Sequence, residues 1–431
     1  MHRKKFAVAP HSRDEAIGRS TLRSAFDHPG RSLLVLALVA AIAGCQRDES
    51  TPIAPRGADL VAASDTRMNP ATLAEGKKIF RFDTYGDETF WTDTLRMHEV
   101  ISTSVSPVTA LSVGLKVDAN ALPPEVKAGI ANKSIDLNSP ATTATLLKLG
   151  AVVGVVGTVE GNTLTRVGIT CALCHSTVDN SFAPGIGSRL DGWPNRDLNP
   201  GAIIALSPAL TPAQRAVYNS WGPGKYDPRF NIDGINMPVV IPAAFGLRHV
   251  KREIYTGDGV VSYWNAYVAI TQMHGHGHFV DPRIGVDVNN PPDLVSDKLE
   301  ALRAYQFSIE APDAPAGPDK AAAQRGRAVF NGVARCASCH LGDAKTDVNA
   351  NRLHEPAEVG QDAAYALRSA TKLYRTTPLR GLWSPPQLQG PYFHDGSAPT
   401  LDAVVAHYEQ LLGLTLTAQQ RADLVAYLKT L

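Results

Sequence analysis

Apolar and polar positions follow a similar order near the middle and at the end of the chain. Residues 301–309 and 423–431 each place apolar side chains at helical spacing, which predicts two amphipathic helices. Upstream of these segments, Gly76 precedes Phe80 and Gly326 precedes Phe330 in the same pattern, Gly-x-x-apolar-Phe, and the second copy lies in an Ala-rich stretch that favours helix. The repetition predicts two units, each opened and closed by a helix.

The two units differ in length because the first contains an insertion. We expect the first unit over residues 67–309 and the second over 320–431, with a Pro- and Ala-rich linker at 310–319. The insertion covers about 81–165, and its apolar stretch at 151–157 favours some strand. The predicted fold is mostly α, with two domains.

The N-terminus has the pattern of an export signal. A basic residue precedes an apolar run over residues 33–43, which is too short to span a bilayer. The run ends in Ile-Ala-Gly-Cys45, which resembles a bacterial lipobox, although an ordinary secretory signal is the alternative. We therefore expect a signal peptide at 1–44, a lipid-modified Cys45 and a tether at 45–66. Gln46 after the cysteine favours the outer membrane.

Composition limits the partners of this chain. The 431 residues include 42 Lys and Arg against 41 Asp and Glu, so no basic surplus is present to neutralise phosphates. We therefore expect no nucleic-acid partner. The count of five cysteines is odd and does not fit a framework made only of disulfides.

Four of the five cysteines form two C-x-x-C-H motifs. The motif residues are Cys171, Cys174 and His175 in the first unit, and Cys336, Cys339 and His340 in the second. Two thiols at this spacing can add to the two vinyl groups of one haem, and the adjacent imidazole then reaches the iron. A zinc site built from both pairs or two small disulfides are the alternatives, but neither requires a His after each second Cys. The motifs predict two covalently bound haem c groups.

The helices and motifs together resemble class I cytochrome c domains, and the C-terminal segment resembles the bacterial di-haem cytochrome c peroxidase superfamily. The resemblance rests on residues 377–380 (Thr-Pro-Leu-Arg), 391–397 (Pro-Tyr-Phe-His-Asp-Gly-Ser) and 399–408. It includes the branch that matures methylamine dehydrogenase and rubber-oxygenase-like members. It implies two cytochrome domains with the haems near their interface, and it implies that Arg380 contacts a haem.

The second axial ligand decides whether a haem transfers electrons or reacts. No methionine follows residue 273, so a His/Met pair within the second unit is excluded. The resemblance implies that Tyr408 is the second ligand of the C-terminal haem, and His407 is the alternative. Tyr408 shares one apolar helical face with Leu401, Val404 and Leu411, which favours Tyr408. Both residues could also serve only in packing near the haem.

The first unit contains a weaker copy of the same segment. Residues 241–248 parallel 377–380, and Asp258-Gly259 parallels Asp395-Gly396. Counting onward, Ile270 and Thr271 occupy the positions of His407 and Tyr408, and neither is a suitable iron ligand. The repeat therefore predicts a reactive first haem that lacks a ligand from this helix.

Polar residues follow this position. Gln272, His274, His276 and His278, the three histidines alternating with glycine, could form a flexible loop that moves a proton on bound peroxide. The superfamily carries an acidic group in this region, so its replacement here puts standard peroxidase activity in doubt. A surface metal site and a chance cluster are the alternatives. His98 in the insertion is another candidate distal ligand.

Two further features are implied by the resemblance. A Trp connects the haems in the superfamily, and Trp221 and Trp264 are the substitutes in this chain. A calcium ion lies between the domains in the superfamily. Asn236, with the carbonyls of Gln389 and Pro391, would be its oxygen ligands here.

The sequence thus predicts a lipid-anchored di-haem oxidoreductase on the periplasmic side of the bacterial envelope. The C-terminal haem would take or store electrons from a small redox protein or a quinol-derived donor. The N-terminal haem would meet hydrogen peroxide or oxygen, with peroxide reduction as the implied reaction. A non-enzymatic electron carrier and an oxidase or oxygenase of an organic or protein substrate are the alternatives.

Overall fold

The computed structural model describes residues 68–315 and 319–431. The predicted signal peptide (1–44), the lipid-modified Cys45 and the tether (45–66) lie outside the described residues. Within the described ranges, every helix is too short or too polar to cross a membrane.

Helices dominate the described chain, so the prediction of a mostly α fold is confirmed. The α-helices are α1 (Pro70–Phe82), α2 (Met97–Ser104), α3 (Pro107–Ser112), α4 (Pro124–Ala131), α5 (Pro140–Lys148), α6 (Ala172–His175), α7 (Pro200–Ala205), α8 (Pro212–Asn219), α9 (Phe230–Asp233), α10 (Val261–Tyr267), α11 (Leu299–Ser308), α12 (Lys320–Asn331), α13 (Pro356–Val359), α14 (Ala363–Leu367), α15 (Pro386–Gln389), α16 (Leu401–Leu411) and α17 (Ala418–Leu428). Segments of π-helix occur at Thr89–Thr94 and Val268–Gln272.

Short strands form five two-stranded sheets among the described residues. The strands are β1 (Val117–Asp118), β2 (Val155–Glu160), β3 (Thr163–Ile169), β4 (Ser176–Val178), β5 (Ile186–Gly187), β6 (Arg189–Asp191), β7 (Lys225–Tyr226), β8 (Val239–Val240), β9 (Gly277–Asp281) and β10 (Val286–Asn290). Strands β1 and β5 pair in parallel, and the pairs β2–β3, β4–β6, β7–β8 and β9–β10 are antiparallel. The hairpin of β2 and β3 includes part of the apolar stretch in which the sequence predicted strand.

The repeated Gly and Phe residues belong to two similar helix pairs. Helix α1 packs against α11, and α12 packs against α17. A Cβ atom on Gly76 would lie 1.9 Å from the Ala301 carbonyl oxygen, and one on Gly326 would lie 1.9 Å from the Asp423 carbonyl oxygen. Only glycine therefore permits either backbone approach. One aromatic contact recurs, with ring centroids 5.6 Å apart for Phe80–Tyr305 and 5.2 Å apart for Phe330–Tyr427.

The two helix pairs belong to separate hydrophobic cores. Phe80 and its neighbours on α10 and α11 form the larger core, whereas Phe330 packs with residues of α16 and α17. The helices of the second core begin at polar caps: Asp319 accepts from the amides of the first turn of α12, and Thr417 forms a capping box at α17. Each attachment motif adjoins one core, since Cys171 packs against the first and Cys336 against the second.

Backbone hydrogen bonds and ion pairs join the two halves. The Val240 amide donates to the His394 carbonyl at 2.8 Å, and the Arg375 amide donates to the Tyr255 carbonyl at 2.9 Å. Arg368 from the second half pairs with Asp227 at 3.0 Å, and both side chains are buried. The junction is therefore ordered by specific polar contacts, and it is next to both attachment motifs.

Candidate functional site: two haem-attachment motifs at one junction

The second attachment motif faces a large cavity. Cys336, Cys339 and His340 lie directly after α12, and all three line a cavity of about 510 Å³. The His340 amide donates to the Cys336 carbonyl at 3.0 Å, so the motif forms a compact turn. Leu401, Val405, Leu424 and Leu428 give the cavity apolar walls. A mostly apolar cavity of this size suits a cofactor.

Both motif histidines are oriented by a backbone carbonyl. The Nδ1 atom of His340 lies 2.8 Å from the Lys345 carbonyl oxygen, and that of His175 lies 3.2 Å from the Pro242 carbonyl oxygen. Burial lowers the pKa of both imidazoles, to about 4 for His175. A neutral ring that donates from Nδ1 keeps the Nε2 lone pair free, which is the arrangement an iron ligand needs.

The structure separates the two candidates for the opposite ligand of the second haem. Tyr408 lines the cavity from α16, and burial together with the nearby Cys339 and Cys336 raises its pKa to about 12. His407 is not among the cavity-lining residues; its Nε2 atom lies 3.0 Å from the Val359 carbonyl oxygen. Leu401, Val404 and Tyr408 of the apolar helical face seen in the sequence line the cavity, whereas Leu411 of that face does not.

The first attachment motif is held by close backbone packing. Cys171 immediately precedes α6, Cys174 lies within it, and His175 is its last residue. A Cβ atom on Gly154 would lie 2.1 Å from the Leu173 backbone nitrogen, so the segment before β2 rests directly on this helix. Burial raises the pKa of both thiols to about 12, so they are protonated in this environment.

The alternative assignments of the cysteines do not match the geometry. The four described cysteines are unpaired. Within the described ranges, the one cluster of three or more possible metal ligands consists of Cys339, Asp347 and His354, and it contains a single sulfur. A zinc site made from both cysteine pairs is therefore absent there. The thiols, the neutral imidazoles and the apolar cavity instead fit covalently attached haem.

The residues that the repeat relates to His407 and Tyr408 lie in an irregular helical segment. Ile270 and Thr271 are buried in the π-helix at Val268–Gln272, a deformation often found at functional sites. Gln272 ends this segment, and its Oε1 atom accepts from the Tyr226 hydroxyl at 3.0 Å. The Gln272 amide also donates to Asn231 at 3.0 Å. Tyr226 is buried near Cys174, so this network adjoins the first motif.

The three alternating histidines point to different partners. His274 stacks on Phe90 with ring centroids 3.6 Å apart, and burial lowers its pKa to about 4. The Nδ1 atom of His276 lies 3.0 Å from the Pro291 carbonyl oxygen. His278 lies in β9 and pairs with Asp287 at 2.9 Å. The expected flexible loop is wrong for His278, because the β9–β10 ladder fixes that part of the chain.

Other predicted residues lie in the first half. His98 is on α2, which packs against α5 and β3, and its buried Nδ1 atom has no hydrogen-bond partner. Trp221 packs edge-on against Tyr226, with ring centroids 5.3 Å apart. Trp264 packs against Tyr267 in the first core, with ring centroids 5.2 Å apart. Among the residues that the structure describes, neither tryptophan has a ring contact with an aromatic residue of the second half.

A different tryptophan pair does cross between the halves. Trp193 and Trp383 have ring centroids 6.0 Å apart, and Trp193 also contacts Phe245 at 5.3 Å. The amide of Gly192 donates to the His175 carbonyl at 2.8 Å, so Trp193 directly follows a residue held on the first motif. The sequence analysis missed this pair. Its one available signal was the position of Trp383 three residues after Arg380.

The residues predicted to bind calcium have other partners. The Asn236 side-chain oxygen accepts from Trp221 Nε1 at 2.8 Å. The Gln389 carbonyl accepts from Arg196 Nη2 at 2.9 Å, and Pro391 lines the cavity. Arg380 also lines the cavity and donates from Nη1 to the Gly246 carbonyl. The Gln389 carbonyl proposed for calcium is thus already bonded to a guanidinium.

Several known proteins are similar to parts of this chain. Residues 323–431 match the Cytochrome c family, so the C-terminal half contains a cytochrome c domain. Methylamine utilization protein MauG from Methylorubrum extorquens is 32% identical over 157 residues, which cover 30% of this chain and 42% of that protein. Cytochrome-c peroxidase IdrP1 from Denitromonas iodatirespirans is 31% identical over 182 residues, which cover 30% of this chain and 48% of that protein.

The chain therefore spans less than half the length of the curated relatives it matches. A solved MauG-like protein associated with microbial copper homeostasis is 20% identical and aligns with 46% of this chain and 74% of that chain, at a TM-score of 0.31. The predicted resemblance to the di-haem cytochrome c peroxidase superfamily is confirmed by the relatives named MauG and cytochrome-c peroxidase. These relatives support haem c and an oxidoreductase of the peroxidase kind.

Proposed function

We propose that this chain is a di-haem c oxidoreductase of the bacterial envelope, anchored by a lipid on Cys45 and facing the periplasm, with the outer membrane as its expected site. Cys336, Cys339 and His340 would hold the C-terminal haem, which would supply electron exchange with a small redox protein or a quinol-derived donor. Cys171, Cys174 and His175 would hold the N-terminal haem, which would supply the site where hydrogen peroxide is reduced.

The asymmetry of the two distal positions carries this proposal. Tyr408 stands on the wall of the cavity that holds His340, which favours a second haem with two protein ligands. At the repeat-related positions of the first half, Ile270 and Thr271 offer an aliphatic group and a hydroxyl that donates to the Tyr267 carbonyl at 2.7 Å. A site without a competing ligand can bind peroxide.

The residues around the first motif can support the chemistry. Haem supplies one-electron transfer and, where an axial position is free, a binding site for peroxide. Tyr226 holds Gln272 through its hydroxyl, and Gln272 holds Asn231 through its amide. This buried network can orient a bound oxygen species and exclude bulk water. Burial lowers the pKa of His274 to about 4, so its imidazole stays neutral near neutral pH.

Calcium is not part of the proposal, because Arg196 already donates to the Gln389 carbonyl. The tryptophan pair Trp193 and Trp383 is better placed than Trp221 or Trp264 to connect the halves, since it is the pair that spans them.

Haem counting and peroxide turnover test the function. We expect two covalent haems per chain in the pyridine haemochrome assay and oxidation of a reduced small cytochrome when peroxide is added. A Cys171→Ala/Cys174→Ala variant should keep one haem and lose peroxide reduction, whereas Cys336→Ala/Cys339→Ala should retain the peroxide-reactive iron but lose oxidation of the donor. Two haems without any peroxide consumption would indicate an electron carrier instead.

A further inference from the structure

Arg196 is a half-buried cation without a carboxylate partner among the described residues. Its Nη1 atom donates to the Ile241 carbonyl, and its Nη2 atom donates to the Gln389 carbonyl at 2.9 Å. Its Nε atom is buried and has no hydrogen-bond partner. Among the described residues no Asp or Glu forms an ion pair with it. Burial lowers its pKa, with Tyr255 and Tyr392 as the nearby groups that oppose the shift.

The position of Arg196 is fixed between the two attachment motifs. The amide of Asn195 donates to the Cys174 carbonyl at 2.9 Å, which holds this segment on the first motif. Ile241, which accepts from Arg196, directly precedes Pro242, whose carbonyl orients His175. The Arg196 side chain also lines the cavity that contains the second motif. A residue of the first half thus contributes a positive charge to the cofactor cavity of the second half.

A second free donor lies beside it. The side-chain Nε2 atom of Gln389 is buried without a hydrogen-bond partner, and Gln389 also lines the cavity. The Nε atom of Arg196 and the Nε2 atom of Gln389 are thus two buried donors without acceptors, which is unfavourable unless a ligand supplies the acceptors. The cavity is otherwise mostly apolar, so its occupant should be an apolar molecule that carries at least one anionic oxygen group.

The other arginines of this wall are compensated differently. Arg375 pairs with Glu253 at 3.1 Å, and Arg380 has the carboxylates of Glu253 and Glu310 nearby. The fourth arginine of the wall, Arg335, is exposed to solvent. Among the arginines of the wall that are at least half-buried, Arg196 is the one for which the described residues provide no carboxylate partner.

The geometry points to Arg196, assisted by Gln389, as the binding site for a propionate carboxylate of the haem in the second half. This inference rests on the proposed function in one respect, namely that the second half holds haem c. Arg196 is then a positioning residue that ties the second cofactor to the first half. Because its positive charge is buried close to that cofactor, it favours the reduced iron and raises the reduction potential of the second haem.

Potentiometric titration of the holoprotein tests the assignment. Arg196→Met should lower the midpoint potential of the second haem by at least about 59 mV. For a one-electron couple, this shift corresponds to a tenfold decrease in the equilibrium constant of reduction. Arg196→Lys keeps the charge and should recover most of the shift. Gln389→Leu keeps the backbone carbonyl and should lower the potential by less than Arg196→Met, and the two effects should not add because both residues bind one carboxylate.

Arg215→Met is the matched control. Arg215 is also half-buried, donates to a backbone carbonyl (Ser207, 2.9 Å) and has a buried Nε atom without a partner, but it does not line the cavity. Its substitution should leave both potentials unchanged. A potential of Arg196→Met within the range of this control, or equal shifts in the Met and Lys variants, would overturn the proposal.

The titration separates this proposal from the function. Potentials are measured without peroxide, so loss of peroxide reduction leaves the result intact. If Arg196→Met does not incorporate its second haem, the comparison of Gln389→Leu with wild type decides. A wild-type potential of the second haem in Gln389→Leu would contradict the assignment.

Discussion

Replacing Tyr408 by Phe should change the second haem and leave the first one unchanged. The Tyr408 side chain lines the cavity with His340, and it is the one residue of the pair Tyr408–His407 that does so. The substitution removes a single oxygen atom and preserves the ring that packs beside Phe393, whose centroid is 6.1 Å away. The expected effect is therefore on coordination rather than on folding.

The structure sets the free energy that iron binding must supply at this residue. Burial raises the pKa of the Tyr408 hydroxyl from 10.0 to about 12, so forming the tyrosinate costs about 2.7 kcal/mol more than in water. At pH 7, ionising a hydroxyl with a pKa of about 12 costs about 6.8 kcal/mol in total, and a bond to iron through the tyrosinate must exceed this total. Without the hydroxyl, the second iron should become five-coordinate or bind water, and it should become able to bind cyanide.

Optical and EPR spectra of the oxidised holoprotein provide the assay, with His407→Leu as the control. The control loses one hydrogen bond to the Val359 carbonyl, worth about 0.5–1.5 kcal/mol of stability, and should keep the wild-type spectrum. We expect a low-spin signal to be replaced by a high-spin one in Tyr408→Phe alone. A wild-type spectrum in Tyr408→Phe, with a changed one in His407→Leu, would refute the reasoning.

Three further predictions concern stability, pH and location. Gly326→Ala should destabilise the protein by about 1–3 kcal/mol in denaturant unfolding, because the new Cβ would lie 1.9 Å from a carbonyl oxygen. The control Gln324→Ala, on the exposed face of α12, should have little effect. Equal stability of the two variants would argue against the close helix contact. Burial raises the pKa of Glu253 from 4.5 to about 7, so the folded state binds this proton more tightly and the free energy of unfolding should fall as pH rises through that window. Glu253→Gln should lack this decrease in urea titrations at several pH values, and a decrease of the same size in the variant would contradict the assignment. Cys45→Ser should move the protein from the membrane fraction to the soluble periplasmic fraction, and an unchanged distribution would exclude the lipid anchor.

The sequence predicted well the features that depend on short patterns. The two C-x-x-C-H motifs carry their chemistry in five consecutive residues, and the helix contacts at Gly76 and Gly326 follow from one repeated spacing. The preference for Tyr408 over His407 also came from periodicity, since neighbouring residues on a helix point about 100° apart. Motif spacing and helical periodicity depend on residues that are close together in the sequence, so they can be predicted without knowledge of long-range contacts.

Long-range partners could not be obtained from the sequence in the same way. Arg196 joins the Gln389 carbonyl 193 residues away, and nothing around position 196 indicates that neighbour. Trp193 and Trp383 meet only because the two halves dock, and the choice of Trp221 and Trp264 followed proximity in the sequence. His278 was assigned to a loop because alternating glycines suggest one, but cross-strand pairing with β10 determines its conformation.

Cyanide titration of the wild-type holoprotein, followed by EPR, tests the central asymmetry between the two haem sites most directly. One iron per chain should bind cyanide, namely the iron attached through Cys171 and Cys174, and the signal of the other iron should be unchanged. Binding of cyanide to both irons, or to neither, would contradict this asymmetry.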